Sequence, residues 1–139
     1  FENVFFRFIN FLRVMKKLLL FALLGFSING FSVDWKKVIV DRSGDSYYVD
    51  VDNIKKQNGL LYYSRLEDYL RPRNGDYSFI RKFKVDCTKG KRTWLSDTFY
   101  NQPMGRGQIT REINPKKVSY PKPNSIGFIV MKFSCDYLD

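Results

Sequence analysis

The sequence predicts an α+β fold: a single antiparallel β-sheet of about five to six strands, a C-terminal α-helix packed on one face, and one disulfide. Three observations lead there. Short runs rich in β-branched and aromatic residues alternate with turn signals from Trp35 to Tyr100. The last apolar stretch changes to a helical period. The two cysteines of the chain, Cys87 and Cys135, both follow a leader of the export type, and an even pair in an oxidising compartment is most simply a disulfide.

The leader reads as follows. Met15 precedes Lys16 and Lys17, then an apolar run from Leu18 to Phe26, then Ser27, Asn29, Gly30 and Ser32. A positive start, a short apolar core and a small-residue end are the three parts of a secretory signal, so residues 15–32 are assigned as a signal peptide. A run of about nine apolar residues is too short to span a bilayer, which takes roughly 20. A buried core helix and a retained anchor are the competing readings. Cleavage is expected after Ser32, with a cut after Gly30 as the alternative. Residues 1–14 are read as upstream read-through, with translation starting at Met15. No cysteine lies near the end of the apolar run, so a lipid-modified cysteine anchor is not available. The expected location is outside the cytoplasm, in the periplasm, at the cell surface or secreted, with no stable membrane span after signal cleavage.

Residues 33–139 are enough for one domain with a modest core. They hold 20 of the 24 basic and 13 of the 14 acidic residues, a net charge of +7. Export argues against nucleic acid as the partner of that charge. Polyanionic surfaces, acidic glycans and acidic proteins are better candidates, beside the plain reading that the charge keeps a small domain soluble.

Each element has its own signature. Trp35–Asp41 (WKKVIVD) is a first strand, ended by the glycine-containing turn RSGD. Ser46–Val51 is the second strand. Residues 52–59 (DNIKKQNG) form a connection with room for one helical turn, closed by the Asn58-Gly59 pair. Leu60–Leu70 is a longer strand, and RPRNGD turns the chain back. Tyr77–Cys87 alternates at Phe79, Arg81, Phe83 and Val85, TKG is a tight turn, and Lys91–Tyr100 returns. Short connections make these strands antiparallel neighbours. The stretch after Tyr100, NQPMGRGQITREINPKKVSYPKP, has four prolines and two glycines and little periodicity, and is read mainly as loop. Near the end, Asn124 or Ser125 serves as N-cap to a helix with Ile126, Ile129, Val130 and Phe133 on one face. Gly127 weighs against that helix by about 1 kcal/mol relative to alanine; a strand through GFIVMKF is the rival.

The search for chemistry returns little. The chain has no histidine, which removes the commonest general base and a common metal ligand. Asp50 and Asp52 are read as a polar strand end with a capping aspartate, a calcium site being the alternative. GRG at Gly105–Gly107 lacks the lysine and helix opening of a phosphate loop. The chain is expected to be non-catalytic, with no cofactor and no metal site. Basic residues gather on the hairpin through residue 90. Lys82, Lys84, Lys89, Lys91 and Arg92 are the candidate binding set, with Arg81 on the opposite side from Lys82 and Lys84. A solvated hairpin guarded by lysines is the ordinary alternative. The aromatics Tyr47, Tyr48, Tyr62, Tyr63, Tyr69, Phe79, Phe83, Trp94 and Phe99 are read as core and cross-strand pairs before a recognition surface.

With these pieces placed, residues 33–139 resemble the bacterial surface-adhesin protein E family. The resemblance rests on an ordered set: the tryptophan of DWKKV, YYVDVDNI, Gly59 with its following apolar strand, LEDY, and DYSFIRKFKVDC with Asp86-Cys87. Arg92, YNQPMGRG, Pro121, Pro123, Ser125 and Cys135 complete it, so that nearly all of residues 34–137 is covered. Tyr63 stands where many relatives have tryptophan. The resemblance implies an exported, disulfide-bonded, non-catalytic domain that binds extracellular-matrix, serum or envelope proteins. The alternative is a periplasmic accessory or structural envelope protein that binds a small ligand or peptidoglycan.

Overall fold

Alternation of side chains along a strand divides the sequence between two faces of one antiparallel sheet. In the computed structural model, which describes residues 33–138 together with Phe11, Met15 and Lys16, eight strands precede one helix. They are β1 (Trp35–Val40), β2 (Ser46–Asp50), β3 (Lys55–Gln57), β4 (Leu60–Arg73), β5 (Asp76–Asp86), β6 (Lys91–Gln102), β7 (Arg106–Ile113) and β8 (Val118–Ser119). Helix α1 (Ile126–Asp136) follows. Residues 33–139 form one compact unit. The predicted signal peptide and read-through segment fall outside the described residues, apart from Phe11, Met15 and Lys16.

The order across the sheet is β1-β2-β4-β5-β6-β7. β3 pairs with β4 beyond the end of β2, and β8 pairs with β6 beyond the end of β7. Turn chemistry sets the registers. The Asn58-Gly59 pair links Gln57 to its partner Leu60 with both turn residues at positive φ, and Asn74-Gly75 does the same between Arg73 and Asp76. Two-residue Asn-Gly turns of this hand match the twist of the strands they join. At the β1–β2 turn, Asp41 Oδ1 accepts from the amides of Ser43 and Asp45, and Tyr47 donates to its Oδ2.

Four sequence expectations about the sheet are corrected. The sheet has eight strands, not five to six. The segment read as loop after Tyr100 holds the end of β6, a 3-10 turn at Pro103–Gly105, β7 and β8. All eight residues of β7 are exposed, so neither face imposes an apolar period that sequence can show; pairing with β6 alone makes it a strand. Lys55–Gln57 escapes notice for the same reason, and β4 continues through the RPR read as turn.

The core lies on one face. Tyr47, Val49, Leu61, Tyr63, Phe83 and Val85 from the sheet meet Val130 and Met131 of α1. The helix starts at Ser125, whose Oγ accepts from Phe128 N at 3.2 Å, as one of the two N-cap assignments had it. Of the expected face, Val130 is fully buried and Ile126 and Phe133 pack half-buried against the core. Met131 and Ser134, which were not on it, are buried as well, and Gly127 packs against Arg92. Cys135, in the last turn of α1, is bonded to Cys87 at the end of β5, with a Cα–Cα distance of 6.0 Å. β5 is an interior strand, so the bond ties the helix to the middle of the sheet. Removing it in a Cys87→Ser, Cys135→Ser variant is expected to cost about 4 kcal/mol, as the loop-entropy relation gives for a closure of this length. Urea unfolding of the two proteins measures the difference.

Candidate functional site

Both sides of the β5–β6 hairpin carry cations, and the side decides what each does. Cross-strand register places Tyr62 with Lys84 and Ser64 with Lys82 on the face away from α1, while Tyr63–Phe83 and Arg65–Arg81 face the helix side. Lys82 and Lys84 therefore share the open face and Arg81 opposes them, as expected. Lys91 lies on the open face with Lys84 and Thr93, and Lys89 stands at the hairpin tip.

Arg92 departs from the set. Its neighbour in register is the core residue Val85, and it is only 9% exposed. Its Nε donates to Ser119 Oγ at 2.9 Å and its Nη1 to the carbonyl of Gly127 at 3.2 Å. The guanidinium lies 5.1 Å from the Phe83 ring centre. A Cβ added at Gly127 would stand 2.7 Å from both terminal nitrogens of Arg92. The glycine that weakens the helix on propensity grounds is what lets the guanidinium pass beneath it. Arg92 thus belongs to the core and not to the binding set, a correction that sequence could not supply without knowing what α1 covers.

The rest of the helix-side face carries charge held among aromatic rings. Arg81 donates to both carboxylate oxygens of Asp97 at 2.5 Å and lies 3.7 Å over the Trp94 ring. Arg65 donates to Glu67 at 3.1 Å with the rings of Tyr47, Phe79 and Phe83 around it. Tyr63 stacks on Phe83 at 5.0 Å and Phe79 on Phe99 at 5.1 Å, so these aromatics form cross-strand pairs as expected. Burial pushes the Glu67 carboxyl above its ordinary range despite Arg65 and Arg73. Burial likewise pushes the Tyr63 phenol up to about 12, with Arg65 and Arg92 opposing that rise.

The open face is closed at one end and open at the other. Around Pro103–Gly105 the chain folds over it: Met104 N donates to Asp68 Oδ1, Gly105 N donates to Ser78 Oγ, and Ser78 Oγ donates to the carbonyl of Gln102. A Cβ at Gly105 would lie 2.9 Å from Ile80 Cδ1, so this glycine serves close packing and not phosphate binding. Toward the hairpin tip the face holds two cavities. The first, of about 330 Å³, is lined by Asp50, Asn53, Lys55, Tyr62, Ser64 and Lys82 among others. The second, of about 180 Å³, is lined by Lys84, Asp86, Lys89 and Lys91 with Leu60 and Thr93. Asp50 occupies the N-cap position of a 3-10 turn at Val51–Asn53, but its Oδ2 accepts from the Asn53 side chain at 2.8 Å and not from the turn backbone. Lys55 was missed as a site residue, because only the pairing of β3 with β4 brings it opposite Tyr62. Among the described residues no group of three or more metal-binding side chains converges.

Comparison with known proteins adds the following. The family described as surface-adhesin protein E matches residues 35–136, well over half of the chain. Among solved structures, crystal form II of Haemophilus influenzae protein E superposes with a TM-score of 0.56 at 17% identity, covering 78% of this chain and 95% of that one. The selenomethionine form gives 0.55 at 16% identity, covering 76% and 91%. Protein E from non-typeable Haemophilus influenzae gives 0.51 at 17% identity, covering 77% and 80%. At these identities the likeness is one of fold. A search of curated proteins finds no match.

Two predictions follow from the helix-side face. A Gly127→Ala change stabilises an ordinary helix by about 1 kcal/mol; here it is expected to lower the urea midpoint, because the new methyl displaces the buried Arg92 from its two partners. The second concerns pH. A phenol whose folded pKa lies above its ordinary value of 10 adds stability that is complete below pH 10 and lost as pH climbs through about 12. Tyr63→Phe is expected to flatten the loss of stability between those limits, measured by urea unfolding at a series of alkaline pH values.

Proposed function

The chain belongs to the surface-adhesin protein E family, and from that membership we propose that residues 33–139 act as an exported, non-catalytic binding domain. Its partners are extracellular-matrix, serum or envelope proteins with acidic surfaces, met by the open face of the sheet. Residues 15–32 direct export as a cleaved signal. Among the described residues no helix is long and apolar enough to cross a membrane.

The observation that carries this reading is that Lys82, Lys84 and Lys91 share the open face of the β5–β6 hairpin, with Lys89 at its tip. Of the four, only Lys89 has a carboxylate within ion-pair distance among the described residues, Asp86 at 3.8 Å. Unpaired cations at an exposed tip raise encounter rates with acidic partners more than they raise affinity.

The test is a pull-down of the native protein against matrix, serum and envelope proteins at two salt concentrations, followed by association kinetics on any partner captured. Reversing Lys82, Lys84, Lys89 and Lys91 to glutamate is expected to slow association by about tenfold or more at low salt and to flatten its salt dependence. Arg92→Ala should instead leave the on-rate of folded protein unchanged and lower stability by about 1–3 kcal/mol, the range for orphaned buried polar groups. Equal on-rates for the quadruple variant and the parent would remove the steering role. The first cavity favours a second reading, an accessory envelope protein that takes a small ligand. Fractionation separates the two: surface display supports adhesion, and a purely soluble periplasmic pool supports the accessory role.

A further inference from the structure

The two cavities on the open face are neighbours. Lys82 and Lys84 sit two residues apart on one face of β5, the first lining the larger cavity and the second the smaller, and Tyr62 of the larger cavity stands directly across from Lys84. Together the two cavities present five lysines: Lys55, Lys82, Lys84, Lys89 and Lys91. Among the described residues Lys55, Lys82, Lys84 and Lys91 have no carboxylate within ion-pair distance, so their charge is available to a ligand.

The larger cavity is not simply cationic. Asp50 lines it while being only 6% exposed, and its Oδ1 has no hydrogen-bond partner among the described residues. A buried carboxylate oxygen left without a donor is unfavourable and asks for one. Around it stand the Asn53 amide, the Ser64 hydroxyl and Tyr62, whose phenol combines an apolar ring with a polar tip. A cavity of about 330 Å³ is at the lower end of the range for small-molecule sites. An acidic peptide fits this set poorly, since its carboxylates would meet Asp50. A ring bearing several hydroxyls fits well: hydroxyls donate to Asp50 and Ser64, the ring face lies on Tyr62, and an acidic substituent reaches Lys55 or Lys82. The next acidic group along the chain reaches the smaller cavity with Lys84, Lys89 and Lys91.

We propose that the adjoining cavities of the open face form one elongated site for an acidic oligosaccharide, with Asp50 accepting from a sugar hydroxyl and the lysines binding its carboxylate, sulfate or phosphate groups. This rests on the reading of the open face as the binding surface and names the chemistry that surface takes.

Calorimetric titration of the native protein tests it with four probes: a heparin-derived tetrasaccharide, a lipopolysaccharide core oligosaccharide, a neutral maltotetraose and a polyglutamate of charge matched to the heparin fragment. Binding of either acidic saccharide, tighter than polyglutamate and with maltotetraose weak or silent, supports the site; which of the two binds tells a host glycan from a bacterial one. Asp50→Asn is the deciding variant. Losing a charged acceptor is expected to weaken saccharide binding about tenfold, whereas a purely electrostatic site would bind more tightly once a repelling carboxylate is gone, Asp86 of the smaller cavity being left in place. Lys82→Ser, at an exposed position, should also weaken binding without changing thermal unfolding. If Asp50→Asn does not fold, Ser64→Ala replaces it, with a smaller loss expected. Polyglutamate binding as tightly as the saccharides, tightening in Asp50→Asn, or no saccharide binding at all overturns the proposal. Failure here with protein partners still captured in the pull-down would sink the saccharide site alone; failure of both would remove the binding face itself.

Discussion

One short helix has to close the core of the sheet, and the bond between Cys87 and Cys135 is what keeps it there. α1 has 11 residues, a length at which an isolated helix is marginal in water. Packing supplies the rest: Val130 and Met131 enter between Val49, Leu61 and Tyr63, and the disulfide anchors the last turn to the end of β5. A domain of this size has little stability to spare. A cross-link closing a loop of 48 residues in sequence therefore supplies a substantial part of it.

The helix packs against β1, β2 and β4, which leaves the far side of the same face to be filled otherwise. Arg65 and Arg81 fill it, and Arg92 reaches beneath the first turn of α1, each with its guanidinium near aromatic rings and with hydrogen-bond partners of its own. Arginine suits this use because its planar, weakly hydrated head stacks on rings while still donating at its edge. Lysines, compact and strongly hydrated, stand on the open face and at the tip. On the β5–β6 hairpin the two kinds of cation are thus divided by face: Arg81 and Arg92 among aromatics on the helix side, Lys82, Lys84 and Lys91 on the open side.

This division also explains how the two faces differ in role. The helix side is committed to stability, as the orientation of Arg92 beneath Gly127 shows. Among the described residues the open side is covered around Pro103–Gly105, where Ser78, Asp68 and two backbone amides knit the chain down. What remains exposed is the end bearing Lys55, Lys82, Lys84, Lys89 and Lys91. Asp50, Glu67 and Arg92, three polar residues that would interest a search for catalysis, do not converge: Asp50 lies on the open side and the other two on the helix side.

Much of this architecture was legible in the chain itself. Alternation from Ser46 to Tyr100 placed the central strands, the Asn-Gly pairs marked two turns, and two cysteines with no competitor determined the disulfide. The opposite facing of Arg81 and Lys82 followed from a period of two. Tertiary structure alone decided that β3, β7 and β8 are strands, that Met131 and Ser134 join the buried face of α1, and that Arg92 turns inward. The physical reason is common to all three. Local pattern reports burial only where one face of an element is apolar and the other is not. Strands exposed on both faces carry no such record, and the surroundings of Arg92 are set by Ser119 and Gly127, residues 27 and 35 positions away.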